Sequence, residues 1–236
     1  MKENERLTIA LPSGELQEDV IGFMKNIGLD FTVIDRRLLI KVDNMPIDFV
    51  ILRASDIPQR VEDKRTKAKA GITGSDIIWN AGMGKDFGED IPINELNSQS
   101  KKSSLYIGVT NNFYRYILNH SARDPQIKDL SSCMVVTKYP RISQEVFAER
   151  QADNVEIFPV AGTDEAMQYI LPCDGILGII SSGKTIAAND IKILEIFYQV
   201  TIKMIKSPNK LTNRDCMLLD DFRERIAIAI QRKRMI

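Results

Sequence analysis

Histidine is nearly missing from this chain. Its 236 residues hold one, His120, beside a single tryptophan and three cysteines. A mechanism built on a Ser–His or Cys–His pair, or on a histidine-rich metal centre, has almost no material. His120 lies in the polar stretch Asn119-His120-Ser121 and reads as an ordinary surface residue. The cysteines, Cys133, Cys173 and Cys216, lie far apart with no C-x-x-C. That suits reduced thiols in a cytoplasmic protein. Net charge is also absent, since 32 Lys+Arg balance 32 Asp+Glu. Neither a general nucleic-acid surface nor a membrane surface is expected. No apolar run approaches the roughly 20 residues of a membrane span. The polar start Met1-Lys2-Glu3-Asn4-Glu5-Arg6 does not read as a signal peptide. There are no internal repeats and no low-complexity segment.

What is present is a 44% hydrophobic chain, enough for a full core in one large domain or two small ones. Leu7–Leu11 reads as a buried strand, and Leu16–Ile27 as a helix stopped by Gly28. Phe31–Ile34, Leu38–Val42, Ile47–Leu52 and Ala70–Thr73 read as strands. A short helix opens at Asp56-Ile57-Pro58, and Gly74-Ser75-Asp76 caps another through Trp79. After the polar segment Asp86–Lys102 come strands at Ser104–Val109, Cys133–Thr137, Val155–Val160 and Asp174–Ile180. Helical patterns lie between them at Ser143–Arg150 and Thr163–Tyr169. Ile193–Ile205 suits one or two strands, and Leu211–Arg232 an amphipathic helix. Strands alternating with helices predict α/β architecture in two lobes with a central cleft. The expected lobes are residues 1–95, joined by a returning 186–236, and residues 96–185.

The most informative run is Cys173–Thr185, a strand-like apolar segment opening into Ser181-Ser182-Gly183-Lys184-Thr185. Small residues let backbone N–H groups converge, hydroxyls donate and a lysine adds charge, which is the chemistry of a phosphate cradle. Gly178 to Thr185 also spells G-x-x-x-x-G-K-T, a formal P-loop. That reading lacks support. A P-loop enzyme needs a later strand ending in an Asp for Mg²⁺. The one long apolar run after Thr185, Ile191–Ile205, carries only Glu195. Ile179 and Ile180 are also too bulky for a loop wrapped on phosphates and fit a strand end. A phosphate loop of another fold is the better reading.

Six blocks together carry a family resemblance: Leu7–Leu16, Leu52–Pro58, Gly71–Asp76, Val136–Pro140, Val160–Glu165 and Asp174–Asn189. Their order resembles that of ATP phosphoribosyltransferase, the first enzyme of histidine biosynthesis, over about residues 6–206. The resemblance implies a two-lobed fold like the periplasmic binding proteins. It implies transfer of a phosphoribosyl group from phosphoribosyl pyrophosphate to N1 of ATP, releasing pyrophosphate, with substrate-bound Mg²⁺ and no metal ligands from the chain. It also implies a homo-oligomer of the short form, working with a synthetase-like regulatory subunit.

On this resemblance Ser181, Ser182, Gly183, Lys184 and Thr185 seat the sugar 5′-phosphate, and Asp174, the residue read as catalytic, orients ribose hydroxyls. Lys184 also suits a surface role, and Thr185 a helix cap. Arg53 is a cleft anion contact or an ion pair with Asp56. Thr73 and Gly74 offer a second anion nest or a plain strand–helix turn. Lys138 follows a strand and reaches toward the cleft. Glu165 suits a helix start whatever its role, and Ser13 faces substrate from the N-terminal motif. The family pattern has Lys and Arg where this chain has Ser13 and Glu15, an Asp in the block at Lys69-Ala70, and an Asp at Gly178. These departures support a second reading, a repurposed or non-catalytic relative binding a phosphorylated ligand. A third is a transferase with another nucleobase-like acceptor.

Overall fold

The computed structural model describes residues 6–93, 102–208 and 211–234. Residues 94–101 of the expected crossing between lobes lie outside them. In chain order the elements are β1 (Leu7–Pro12), α1 (Glu15–Asn26), β2 (Leu39–Lys41), β3 (Ile47–Leu52), α2 (Ile57–Glu62), β4 (Ala68–Gly74), α3 (Ser75–Asn80), β5 (Glu89–Asp90), β6 (Ser103–Val109), α4 (Asn111–Ser121), β7 (Met134–Thr137), α5 (Pro140–Glu149), β8 (Glu156–Pro159), β9 (Gly175–Ile180), α6 (Lys184–Ala188), β10 (Lys192–Val200), β11 (Ile202–Lys206) and α7 (Asn213–Arg234). A 3₁₀ turn spans Asp164–Tyr169, where a helix was expected. The chain divides into two compact α/β units. The first holds β1–β5, β11, α1–α3 and α7; the second holds β6–β10 and α4–α6.

The return to the first unit falls after Val200, not at residue 186 as the sequence suggested. The reason is strand pairing. β10 runs antiparallel to β6 from Lys192 opposite Val109 to Val200 opposite Ser103, which keeps it in the second sheet. β11 follows at once and pairs with β4 in the first. The apolar run Ile193–Ile205 is therefore two strands, one for each unit.

The first sheet has the order β2-β3-β1-β4-β11-β5. β1 is parallel to both β3 and β4, and its sequence, apolar but for the half-buried Thr8, suits a strand covered on both faces. α1 buries Val20, Phe23 and Met24. Its first turn carries Glu15 and Glu18 and its last Lys25, each complementing the helix dipole. α2 packs so closely on β4 that a Cβ at Gly71 would overlap Ile57 and Val61. Phe31–Ile34 forms no strand. Phe31 is buried with its ring edge-on to Phe49, but Val33 and Ile34 point to solvent, so no ladder partner is recruited.

α7 closes this core with Leu219 and Phe222. Its first turn is tied down by Lys69, whose ammonium donates to Asp215 at 2.7 Å. The Thr212 amide and hydroxyl donate to the same carboxylate. Lys69 thus has a structural partner on the terminal helix. Burial works to raise the Asp215 carboxyl, but Lys69 and Thr212 outweigh it and hold the group below its usual range. A depressed carboxyl stabilises the fold at neutral pH, and that contribution is lost as pH falls below the ordinary carboxylate range. Lys69→Met strands a buried carboxylate. It is expected to lower stability by about 2 kcal/mol in chemical denaturation at pH 7, with less effect at pH 3. Equal midpoints at pH 7 would refute this role.

The second sheet has the order β10-β6-β9-β7-β8. β7 is parallel to β8 and β9, whereas β6 is antiparallel to β9 and β10. The carboxyl ends of β7, β8 and β9 and the start of β6 therefore share one edge. α5 covers the sheet with Ile142, Val146 and Phe147. α4 was not expected from its Asn-Asn start. Thr110 caps it, accepting from the Phe113 amide at 3.3 Å. Among the described residues no helix is long and apolar enough to cross a membrane.

Candidate active site

β9 ends at Ile180 and the chain turns through Ser181 and Ser182, both exposed. Gly183 takes a left-handed conformation, φ 71°, from which α6 departs. A side chain at that φ is strained, so glycine sets the turn. The Ser181 and Ser103 hydroxyls share a 2.7 Å hydrogen bond that joins the turn to the start of β6. The helix ladder begins with the Ala187 amide donating to the Gly183 carbonyl. The amides before it precede that ladder and have no partner within the helix. Gly178 lies inside β9, buried and paired with Tyr106. The formal P-loop is thus half strand, through Ile180, and half turn, Ser181–Thr185.

Beside the turn lies a pocket of about 300 Å³, lined by Lys138, Ala161, Gly162, Thr163, Asp164, Glu165 and Ile179. Lys138 follows β7. The Thr137 hydroxyl donates to the Leu177 carbonyl at 2.7 Å and accepts from the Tyr139 amide at 2.9 Å, fixing the turn that presents it. The Lys138 ammonium sits 5.4 Å above the Tyr139 ring. Asp164 is only 3% exposed, and its Oδ1 has no hydrogen-bond partner. Glu165 accepts from the Tyr106 hydroxyl at 3.4 Å.

Burial pushes the Asp164 carboxyl up to about 7. Lys138 pulls it down through its charge and its backbone amide, and the Glu165 charge pushes it up. Burial and the same two acids push the Tyr106 phenol above its ordinary value, so it remains a donor. The stability consequence has a definite sign. From the ordinary carboxyl value of 3.8 up to about 7, the unfolded chain ionises Asp164 while the folded chain keeps the proton. Stability is expected to fall across that window at up to about 1.4 kcal/mol per pH unit. Asp164→Asn removes the slope; a slope that survives the substitution contradicts the assignment.

The family model for ATP phosphoribosyltransferase matches residues 53–228. The chain belongs to that family. It is 29% identical over 235 residues to the ATP phosphoribosyltransferase of Clostridium acetobutylicum, covering 98% of this chain and 96% of the relative. It is 30% identical over 200 residues to that of Bacillus cytotoxicus, covering 84% and 85%. Among solved structures it resembles the ATP phosphoribosyl transferase (HisG:HisZ) complex from Thermotoga maritima. The TM-score is 0.72 at 19% identity, over 96% of this chain and 99% of that one. A histidine kinase sensor domain with similarity to periplasmic binding proteins shares the fold, with a TM-score of 0.54 at 12% identity. ATP phosphoribosyltransferases are glycosyltransferase-type enzymes of histidine biosynthesis, and this chain is placed among them.

Ser181, Ser182, Gly183, Lys184, Thr185, Lys138 and Glu165, all read from the family pattern, lie at one edge of the second sheet. Asp174 does not join them. It precedes β9, so the six residues of the strand, about 20 Å, separate it from the turn. Its carboxylate accepts from the Met134 amide and its carbonyl from Thr110, which makes it a brace at the opposite edge. Thr73 and Gly74 make no nest either. Both are buried, and the Thr73 hydroxyl donates to the Ala54 carbonyl. Gly74 is extended, and the next amide, Ser75, donates to Thr201. In the first unit Arg53 is exposed after β3, and Ser13 is half-buried with its amide donating to Leu52. Asp164 was missed, although it stands next to Glu165 in the same family block.

Among the described residues, no group of three or more His, Cys, Asp and Glu side chains gathers to hold a metal. The two pocket carboxylates, Asp164 and Glu165, fit a Mg²⁺ carried mainly by substrate oxygens and water.

Proposed function

We propose that this chain transfers the phosphoribosyl group of phosphoribosyl pyrophosphate to N1 of ATP. The bond from C1′ to the pyrophosphate oxygen breaks, the bond from C1′ to N1 forms, and pyrophosphate leaves. The observation that carries this is the joint placement of the Ser181–Thr185 turn and the Lys138–Glu165 pocket at the carboxyl ends of parallel strands. Ligands of open α/β sheets bind at such edges. The turn's amides and hydroxyls hold the 5′-phosphate. Lys138 supplies a cation beside the reacting sugar. Substrate-bound Mg²⁺ would neutralise the leaving pyrophosphate. Positioning and charge stabilisation then suffice, which agrees with a site built without histidine.

The Thermotoga maritima relative is a two-component complex. A regulatory subunit, or self-association, is proposed here on that likeness, with the cytoplasm as the compartment. The family's Lys and Arg are Ser13 and Glu15 here, and Glu15 is exposed in the first turn of α1, where it serves the helix dipole. That change favours a second reading, a non-catalytic relative that keeps the sugar-phosphate seat. The test is incubation with phosphoribosyl pyrophosphate, ATP and Mg²⁺ in the presence of pyrophosphatase. Formation of phosphoribosyl-ATP supports transfer. No turnover, with phosphoribosyl pyrophosphate still bound in calorimetry, supports the second reading instead.

A further inference from the structure

We propose that Asp164 is the residue that recognises the ribose hydroxyls of the phosphoribosyl donor, from a seat that exists because residue 178 is glycine. The proposal rests on the sugar-phosphate reading of the pocket. Asp164 is nine-tenths buried and more, yet it lines an open pocket and leaves Oδ1 without a partner. A buried acceptor left unpaired is costly, and its presence at a pocket wall points to a ligand that donates to it. The neighbouring acid is less available. Glu165 already accepts the Tyr106 hydroxyl. Asp174 faces the wrong edge of the sheet and is spent on the Met134 amide.

The seat is made by an absence. A Cβ at Gly178 would come 3.0 Å from Tyr106 Cε1, 3.2 Å from its hydroxyl and 3.3 Å from Asp164 Oδ2. Tyr106 and Asp164 therefore occupy the space a side chain at 178 would need. A ribose hydroxyl suits this carboxylate, since its O–H can donate to the unpaired Oδ1. The inferred ligand class is a pentose phosphate with its 2- and 3-hydroxyls intact.

Three groups face Asp164: Lys138 after β7, Glu165 on its own turn and Tyr106 from β6. Lys138 favours the carboxylate and Glu165 opposes it. Raising the pH through neutrality ionises Asp164 and turns it into an acceptor for a ribose hydroxyl.

The test is calorimetric titration of the full chain with ribose 5-phosphate and with 2-deoxyribose 5-phosphate at pH 6 and pH 8. The ligands share their phosphate ionisation, so their affinity ratio isolates the hydroxyl. The wild type is expected to prefer ribose 5-phosphate by about tenfold or more at pH 8, and by less at pH 6. Asp164→Asn is expected to bring the ratio near one at both pH values while phosphate-driven binding persists. A wild-type ratio near one, or a preference that Asp164→Asn keeps, overturns the proposal and leaves the phosphoribosyl reading standing. Failure of the wild type to bind either sugar or phosphoribosyl pyrophosphate overturns both. Should Asp164→Asn not fold, the wild-type ratio at the two pH values decides alone, since a pH-independent preference refutes Asp164.

Discussion

Gly178→Asp is expected to lower the stability of this protein by about 4 kcal/mol and to abolish transfer. The new Cβ would press on the Tyr106 ring at 3.0 Å and on Asp164 Oδ2 at 3.3 Å. Overpacking of this kind costs about 1–3 kcal/mol. The side chain would also bring a third acid beside Asp164 and Glu165, where burial already holds Asp164 partly protonated near neutral pH. Adding Asp164→Ala relieves the Asp164 contact and one of the two neighbouring acids and leaves the Tyr106 contact in place. The double variant is expected to recover part of the stability and to regain ribose binding. Thermal or denaturant unfolding of the two single variants and the pair measures the coupling. Additive losses would show that residues 164 and 178 do not share one seat.

Lys138→Ala is expected to reduce kcat/KM for phosphoribosyl pyrophosphate by about a hundredfold. A charge-assisted hydrogen bond to an anion contributes about 1.5–3 kcal/mol, which is a factor of about ten to more than a hundred. The loss also reaches Asp164, whose carboxyl Lys138 now holds down. Without that cation the carboxyl titrates above about 7, and the rising limb of the pH–rate profile should move to higher pH. Lys138→Arg keeps the charge and should return the profile to its place. A variant with wild-type kcat/KM and an unmoved profile would remove Lys138 from the site.

Much of this was legible in the sequence, for identifiable reasons. β1 and β9 are almost wholly apolar runs ended by turn residues, and their neighbours announce helices by spacing. The phosphate turn is a local feature, since Ser181–Thr185 needs only its own small residues and one left-handed glycine. The positions that failed depend on pairing. Phe31–Ile34 has the composition of a strand but no partner, so Val33 and Ile34 stay in solvent. The run Ile193–Ile205 reads as apolar throughout, and only the ladders to β6 and β4 divide it between units. Asp174 sits in the most family-like block. Strand direction, invisible in composition, puts it at the far end of β9.

Asp164 illustrates the harder case. In sequence it is one acid beside another in Thr163-Asp164-Glu165. Tyr106, Gly178 and Lys138, from three different strands or strand ends, stand beside it. Lys69 is similar, because its partner Asp215 is 146 residues away. Both are pairings made by the fold, and no local pattern encodes either.

The central claim is that the donor's 5′-phosphate sits on the Ser181–Thr185 turn. A crystal structure of this protein with phosphoribosyl pyrophosphate and Mg²⁺ tests it directly. The 5′-phosphate is expected within hydrogen-bond distance of the backbone amides between Ser182 and Thr185, with the sugar in the Lys138–Glu165 pocket. A phosphate bound elsewhere, beside Arg53 or at the Asp174 edge of the sheet, would contradict it.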